Sequence, residues 1–298
     1  MATVGMVASL AVGCGGSSED TSAEGGDAAA EGSSDWDSSM DITIVSREDG
    51  SGTRGAFIEL FGIEEEVDGE KVDMTTEEAQ ITNSTSVMLT TVAGDDYAIG
   101  YVSLGSLDDS VKALKIDGAE ATAENIKSGD YKVSRPFNIA TKTDMNNPTA
   151  EDFISFIMSQ EGQDVVAEEG YIPLDGAEAY AGDAPAGKVV VGGSSSVSPV
   201  MEKLIEAYAE VNPDAEIELQ TTDSTTGMES AISGAYDIGM ASREVKEDEL
   251  SAGLEAQVIA TDGIAVVVNN NNPTDELTSD QVKSIYTGEA LTWDEVVE

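Results

Sequence analysis

The sequence predicts an α/β protein with mostly parallel sheets, on three observations. Short runs rich in Val, Ile and Thr alternate with segments whose apolar residues recur at helical spacing. The junctions between them are rich in Gly, Ser and Thr, residues that turn a chain and cap helices. Aromatic residues are only 5% of a chain that is 40% hydrophobic, so aliphatic cores are expected. Alternation of this kind is the pattern of strand–helix–strand units, and 298 residues suit one to three domains.

Residues 1–14, MATVGMVASLAVGC, form a short apolar run ending in the only cysteine. The run is too short to span a bilayer, which takes about 20 residues, and fits a signal-peptide core. Leu10-Ala11-Val12-Gly13-Cys14 resembles a bacterial lipobox, which would make Cys14 a lipidated N-terminus. The basic n-region is missing, and Ala11 stands where Leu is usual. Residues 15–40 are Gly, Ser, Ala and acid with almost no apolar content. They cannot bury enough surface to offset their ordering entropy, and a disordered N-terminal tether is expected.

The body then alternates. Strands are expected at 41–46, 99–104, 111–116 and 137–141, and helices at 52–62, 84–94, 121–129 and 149–170. A second series places strands at 188–193, 216–222, 237–242 and within 256–269. Its helices fall at 199–211, 226–235 and 278–288. Between the two series, 176–187 is rich in Ala and Gly and reads as a linker. No internal repeat is visible.

Composition removes several functions. The chain has no histidine, so Ser-His-Asp and Cys-His catalysis and His-ligated zinc are excluded. A single cysteine excludes an intramolecular disulfide or a CxxC pair. With 59 acids against 14 bases, a net charge of −45 argues against nucleic acid, whose binding rests on phosphate neutralisation by basic patches. No metal site and no cofactor are expected.

Three polar loops carry the chemistry. Arg47-Glu48-Asp49-Gly50-Ser51-Gly52-Thr53-Arg54 follows a strand and opens a helix. Its small residues let backbone N–H groups approach an oxyanion at a helix N-terminus, and an arginine can grip two oxygens at once. It is not a Walker A loop. Gly192–Pro199 offers four serines beside two glycines, and Thr221–Gly227 repeats the strand-to-helix placement. Three such loops without a catalytic base suggest an oxyanion held by converging helix ends.

These residues carry a resemblance. IVSREDGSGTRGAF, TVAGDDYAIGYVSLGSL, VKALKIDG, SRPFNIATK and EGQDVVAEEGYIPL are similar to the second half of the phosphate-binding proteins of bacterial phosphate ABC transporters. KVVVGGSSSVSPVMEKLIEAY, YDIGMASREV, TDGIAVVVNNNNP and VKSIYTGEALTWDEV are similar to the first half. The order is reversed, so the chain resembles a circular permutant of that family, with 176–187 joining the old ends. Permutation is tolerated where termini lie close together at the surface. A gene-assembly rearrangement, or a tandem copy cut at both ends, would leave the same order.

The resemblance implies a two-lobed, type II periplasmic-binding-protein fold closing over dehydrated phosphate. One lobe would be 41–133 plus 269–298, carrying the Arg-Ser-Gly-Thr loop. The other would be 134–268, including the linker. The implied phosphate ligands are Ser195, Ser196, Ser224, Arg47, Ser51, Gly52 and Thr53. Many members use an aspartate to accept the proton of hydrogen phosphate. That position falls here on Ser242, followed by Arg243 and Glu244. Arg243 could add charge, and Glu244, Asp223 or Asp262 could supply the acceptor.

The expected function is therefore an extracytoplasmic, lipid-anchored, monomeric binding protein that delivers inorganic phosphate to the permease of an ABC importer. Another tetrahedral oxyanion, sulfate or molybdate, is the alternative ligand. A phosphate-releasing hydrolase is a further alternative, and it would need a base or metal site that the sequence does not supply. A rearranged chain whose lobes fold without forming a cleft is the remaining one.

Overall fold

The computed structural model describes residues 36–67 and 69–297. Cys14 and the tether up to residue 35 lie outside them. Residues 36–40, expected to belong to that tether, pack on the body. Trp36 stacks on Tyr97 with ring centroids 4.6 Å apart and meets Trp293 edge-on at 5.8 Å. The backbone N–H of Asp294 donates to Ser38 O at 2.7 Å. One large aromatic side chain in an otherwise polar segment has enough apolar area to dock it.

The main sheet has nine strands. Along its path run Ala215–Thr222, Gly187–Ser194, Ile238–Ala241, Ser134–Lys142, Leu254–Asn269, Ala98–Ser103, Thr43–Arg47 and Gln80–Thr82, and Val111–Ala113 adds to Leu254–Asn269. The outer pairs are parallel, as the strand–helix alternation predicts. The centre is antiparallel, which corrects the expectation of mostly parallel sheets. Alternation fixes direction only for strands linked by a crossover helix. Leu254–Asn269 instead runs the length of the sheet and meets neighbours of opposite direction in both halves.

That strand is the spine of the fold. Its 16 residues span roughly 50 Å at a strand's rise per residue. Leu254–Gly263 pairs with Ser134–Lys142, and Ile264–Val268 pairs with Ala98–Ser103. Two hydrophobic cores flank the changeover. The first gathers Phe57, Tyr101, Tyr286 and Trp293 with Ile264–Val268. The second gathers Phe137, Phe153, Leu204 and Tyr208 with Ile259 and Ala260. The cores therefore change over at about 261–263, and Ile264–Val268, expected with the second lobe, packs in the first core.

Two further expectations change. The segment 149–170 forms two helices, Pro148–Ile157 and Gln160–Glu168. Ser159 starts the second by accepting from Gly162 N, a cap that ends the continuous pattern. Glu64–Val67 and Glu70–Asp73 form an antiparallel hairpin that the sequence did not reveal. Its strands read EEEV and EKVD and carry no apolar alternation. The join at 176–187 is mostly without regular structure and largely exposed, yet pinned. Tyr180 and Tyr208 donate to Asp152 Oδ2 at 2.5 and 2.6 Å, and Asp183 N donates to its Oδ1 at 3.0 Å.

Candidate functional site

Four helices begin at one place on the seam between the two cores: Gly52–Leu60, Thr85–Ala93, Ser198–Val211 and Ser224–Ser233. Each follows a strand end, so the sheet holds their N-termini together. Their polar starting residues are buried.

Arg47 ends the strand Thr43–Arg47, where its backbone N–H donates to the Tyr101 hydroxyl at 3.0 Å. Its guanidinium is only 2% exposed and grips Glu48 with two bonds of 2.8 Å. Nη2 also donates to Ser195 Oγ at 3.0 Å, and Nη1 reaches Thr85 Oγ1 at 3.4 Å. Burial pushes the Tyr101 hydroxyl's pKa up, so it stays neutral beneath the arginine.

Ser51 is the N-cap of its helix and accepts from Arg54 N at 3.3 Å. Thr53, in the first turn, is the hub of the cluster. Its Oγ1 lies 2.8 Å from Ser196 Oγ, 3.3 Å from Ser242 Oγ and 3.0 Å from Arg135 Nη2. Ser194 donates to Ser242 Oγ at 2.9 Å, and the backbone N–H of Ser242 donates to Ser224 Oγ at 3.1 Å.

Two glycines make this approach possible. A Cβ on Gly52 would overlap Ser224 Oγ and come within 2.9 Å of Ser242 Oγ. Gly193 has φ +139, and a Cβ there would overlap the carbonyl oxygen of Met240 on the neighbouring strand.

The structure thus brings together Arg47, Gly52, Thr53, Ser195, Ser196, Ser224 and Ser242, with Ser51 capping their helix. Arg243 is turned aside: it makes bonds of 2.9 and 2.7 Å to Glu249, and only a 3.4 Å contact to Thr225 on the helix of Ser224. Glu244 is exposed and outside the cluster. Asp223 is occupied as the cap of Ser224–Ser233, accepting from Thr226 N and Oγ1 at 2.9 and 2.5 Å. Asp262 is fully buried, 3.2 Å from Arg135. Burial raises its pKa to about 6, against the pull of Arg135.

Two residues of the cluster escaped the sequence reading. Thr85 lies 3.2 Å from Ser196 and 3.4 Å from Ser195. Its Asn83-Ser84-Thr85-Ser86 segment sits at a fourth strand-to-helix junction, so the signal was present. Arg135 begins a strand rather than a helix, and only the scarcity of arginine pointed to it.

Such an array of rotatable hydroxyls, guanidinium groups and helix N-termini is built to donate hydrogen bonds to an anion. Among the described residues no group of three or more His, Cys, Asp or Glu could hold a metal ion. None of the described helices is long and apolar enough to cross a membrane.

Comparison with known proteins gives the same direction. A family model described as a PBP superfamily domain matches residues 28–161 and 178–297. The phosphate-binding protein PstS 2 of Streptococcus agalactiae serotype V is 60% identical over 256 residues, covering 86% of this chain and 87% of that protein. The phosphate-binding protein PstS 2 of Streptococcus pneumoniae serotype 4 is 43% identical over the same length, with the same coverage. The crystal structure of a phosphate-binding protein of a phosphate ABC transporter from Streptococcus pneumoniae matches with a TM-score of 0.69 and 42% identity, covering 87% of this chain and 100% of that one. By its sequence, its fold and the extent of both matches, the chain belongs to the PstS family of phosphate-binding proteins, within the PBP superfamily of solute-binding folds.

Proposed function

We infer that this protein captures inorganic phosphate at the seam between its two cores, outside the cytoplasm, and delivers it to the permease of an ABC importer. It is a carrier, not an enzyme. The observation that carries this reading is the Thr53–Ser196 contact of 2.8 Å with the Arg47–Ser195 bond of 3.0 Å beside it. Donors from both cores meet at one buried point, where a small anion would hold them together. The proposed ligands are Arg47, Ser51, Gly52, Thr53, Ser195, Ser196 and Ser224, with Ser242 beside them.

The two cores are the two lobes of this reading, with Ile264–Val268 moved from the second lobe, 134–268, to the first, 41–133 plus 269–298, and the join 176–187 belongs to the second. Closure brings them together around the anion and presents a changed surface to the permease. Circular permutation accounts for the order. In its support, Asp41 and Thr292 pair as an antiparallel bridge, so the two ends of the body lie side by side. The streptococcal relatives align over 256 residues in this same order, which favours an inherited arrangement over an assembly accident. Lipidation at Cys14 would anchor a monomer to the outer face of the membrane.

Calorimetric titration of the purified chain with phosphate, sulfate and molybdate, in EDTA, tests the reading. Heat of binding with phosphate and none with the others is expected. Silence with all three would overturn the binding function, and preference for sulfate or molybdate would reassign the ligand.

A further inference from the structure

Arg135 and Asp262 stand directly opposite each other on the two strands that pass between the cores. On one side of them lie Val133 and Ile264 of the first core, and on the other Phe137 and Ala260 of the second. This is where a hinge between the cores would act. Both side chains are buried, at 4% and 0% exposure.

The pair is incompletely satisfied. Arg135 Nη2 donates to Thr53 Oγ1 at 3.0 Å and lies 3.2 Å from Asp262 Oδ2. Nε and Nη1 are buried with no hydrogen-bond partner, and neither carboxylate oxygen of Asp262 meets hydrogen-bonding geometry. The other three arginines are committed to carboxylates: Arg47 to Glu48, Arg54 to Asp49 and Asp73, and Arg243 to Glu249. A buried guanidinium with donors to spare is unfavourable unless a charge compensates it.

We propose that Arg135 is a positioning residue of the anion site, orienting Thr53 and lending it positive charge, and that Asp262 regulates how much of that charge the anion meets. The proposal rests on the phosphate-binding reading above. With Asp262 ionised, the pair is neutral and the anion faces mainly the hydroxyls and Arg47. With Asp262 protonated, the charge of Arg135 is uncompensated beside Thr53, and anion binding tightens. By linkage, a bound anion favours protonation of Asp262.

Few other groups interfere. Facing Asp262 are Arg135 from the opposite strand, Tyr171, Ser103 and the backbone N–H groups of Leu104 and Gly105. Arg47 and Tyr101 stand behind Arg135. Burial holds both tyrosines neutral. Asp262 is thus the carboxylate poised to change charge here, at a pKa raised to about 6 by its burial.

The test is the ratio of phosphate affinities of Asp262→Asn and the unaltered chain, from pH 5 to 8, in which the anion's own ionisation cancels. Asp262→Asn should bind about tenfold more tightly at pH 8, with the ratio approaching one near pH 5. A ratio that stays flat overturns the regulatory role. Arg135→Gln should weaken binding across the range, and Arg135→Lys, which keeps the charge, should restore part of it. Equal affinities for the Gln and Lys variants, both folded by circular dichroism, overturn the charge assignment. If Arg135→Gln fails to fold, the Lys variant must still show a pH profile shifted from that of the unaltered chain; an unshifted profile counts against the proposal. An unaltered chain that binds no phosphate would sink the parent reading instead.

Discussion

The hydroxyl of Thr53 lies 2.8 Å from that of Ser196, a contact between residues 143 positions apart that ties the two cores together. Ser242 and Arg135 approach Thr53, Thr85 approaches Ser196, and Arg47 bonds Ser195 beside them. Every member is buried, so each must be satisfied by another donor–acceptor pair or by an anion. A site of this kind can be dismantled one group at a time, and the outcome of each step is calculable in sign.

Arg47→Ala removes a buried guanidinium that bonds Ser195 and leaves the half-buried Glu48 without its partner. Phosphate affinity should fall by about a hundredfold, the scale of removing one charged, hydrogen-bonding partner from a buried binding contact. Calorimetry measures it. Unchanged affinity would remove Arg47 from the ligand set.

Gly52→Ala tests closure itself. The added methyl would overlap Ser224 Oγ, and the three atoms nearest to it, on Ser224, Ser242 and Arg243, all lie across the seam from Gly52's own core. The two cores should stay folded but be held apart. Small-angle X-ray scattering with and without phosphate should show no contraction in the variant, in contrast to the unaltered chain. A normal contraction would mean that the loops approach less closely than the structure has them.

Asp152→Ala addresses the join between the two sequence halves. It strips the acceptor from Tyr180, Tyr208 and Asp183 N at once. A loss of about 1–3 kcal/mol is expected for buried donors left unsatisfied. Urea denaturation would reveal it as a lower midpoint, accompanied by faster proteolysis within 176–187. A midpoint equal to that of the unaltered chain would mean that the join is not held by Asp152.

Asp262 gives the fold its own pH signature. Its pKa lies above its ordinary 3.8, at about 6, so the unfolded chain ionises first as pH rises. The stability contributed by neutral Asp262 is therefore full below about pH 4 and is lost as pH climbs toward 6. The loss reaches about 3 kcal/mol. The stability of the unaltered chain minus that of Asp262→Asn should fall across this window and level off above it. A difference independent of pH would place the titration elsewhere.

Much of the site was legible because its chemistry is local. Arg47, Gly52, Thr53, Ser195, Ser196 and Ser224 each sit where a strand ends and a helix begins, and turn and cap residues announce such junctions in any context. Thr85 sits at a junction of the same type and shows that the rule could have been applied once more. Arg135 obeyed no local rule. Its partner Thr53 is 82 residues away, and its meaning depends on where the long strand changes cores. Arg243 shows the converse: an arginine beside the site in sequence is withdrawn from it by Glu249, six residues on.

By itself, the sequence determined the chemical class of the protein. Without histidine, with one cysteine and with serine-rich helix starts, it can bind an anion through neutral donors and has little means of transforming one. It also determined most of the strands and helices, because periodicity and capping act over a few residues; the polar hairpin Glu64–Asp73 and the break at Ser159 were not among them. Only the tertiary structure decided the directions of the central strands, the burial of Arg135 against Asp262, and the choice of Ser242 over Arg243 and Glu244 as the residue facing Thr53. Those outcomes depend on contacts between distant segments, where packing and desolvation outweigh any local preference.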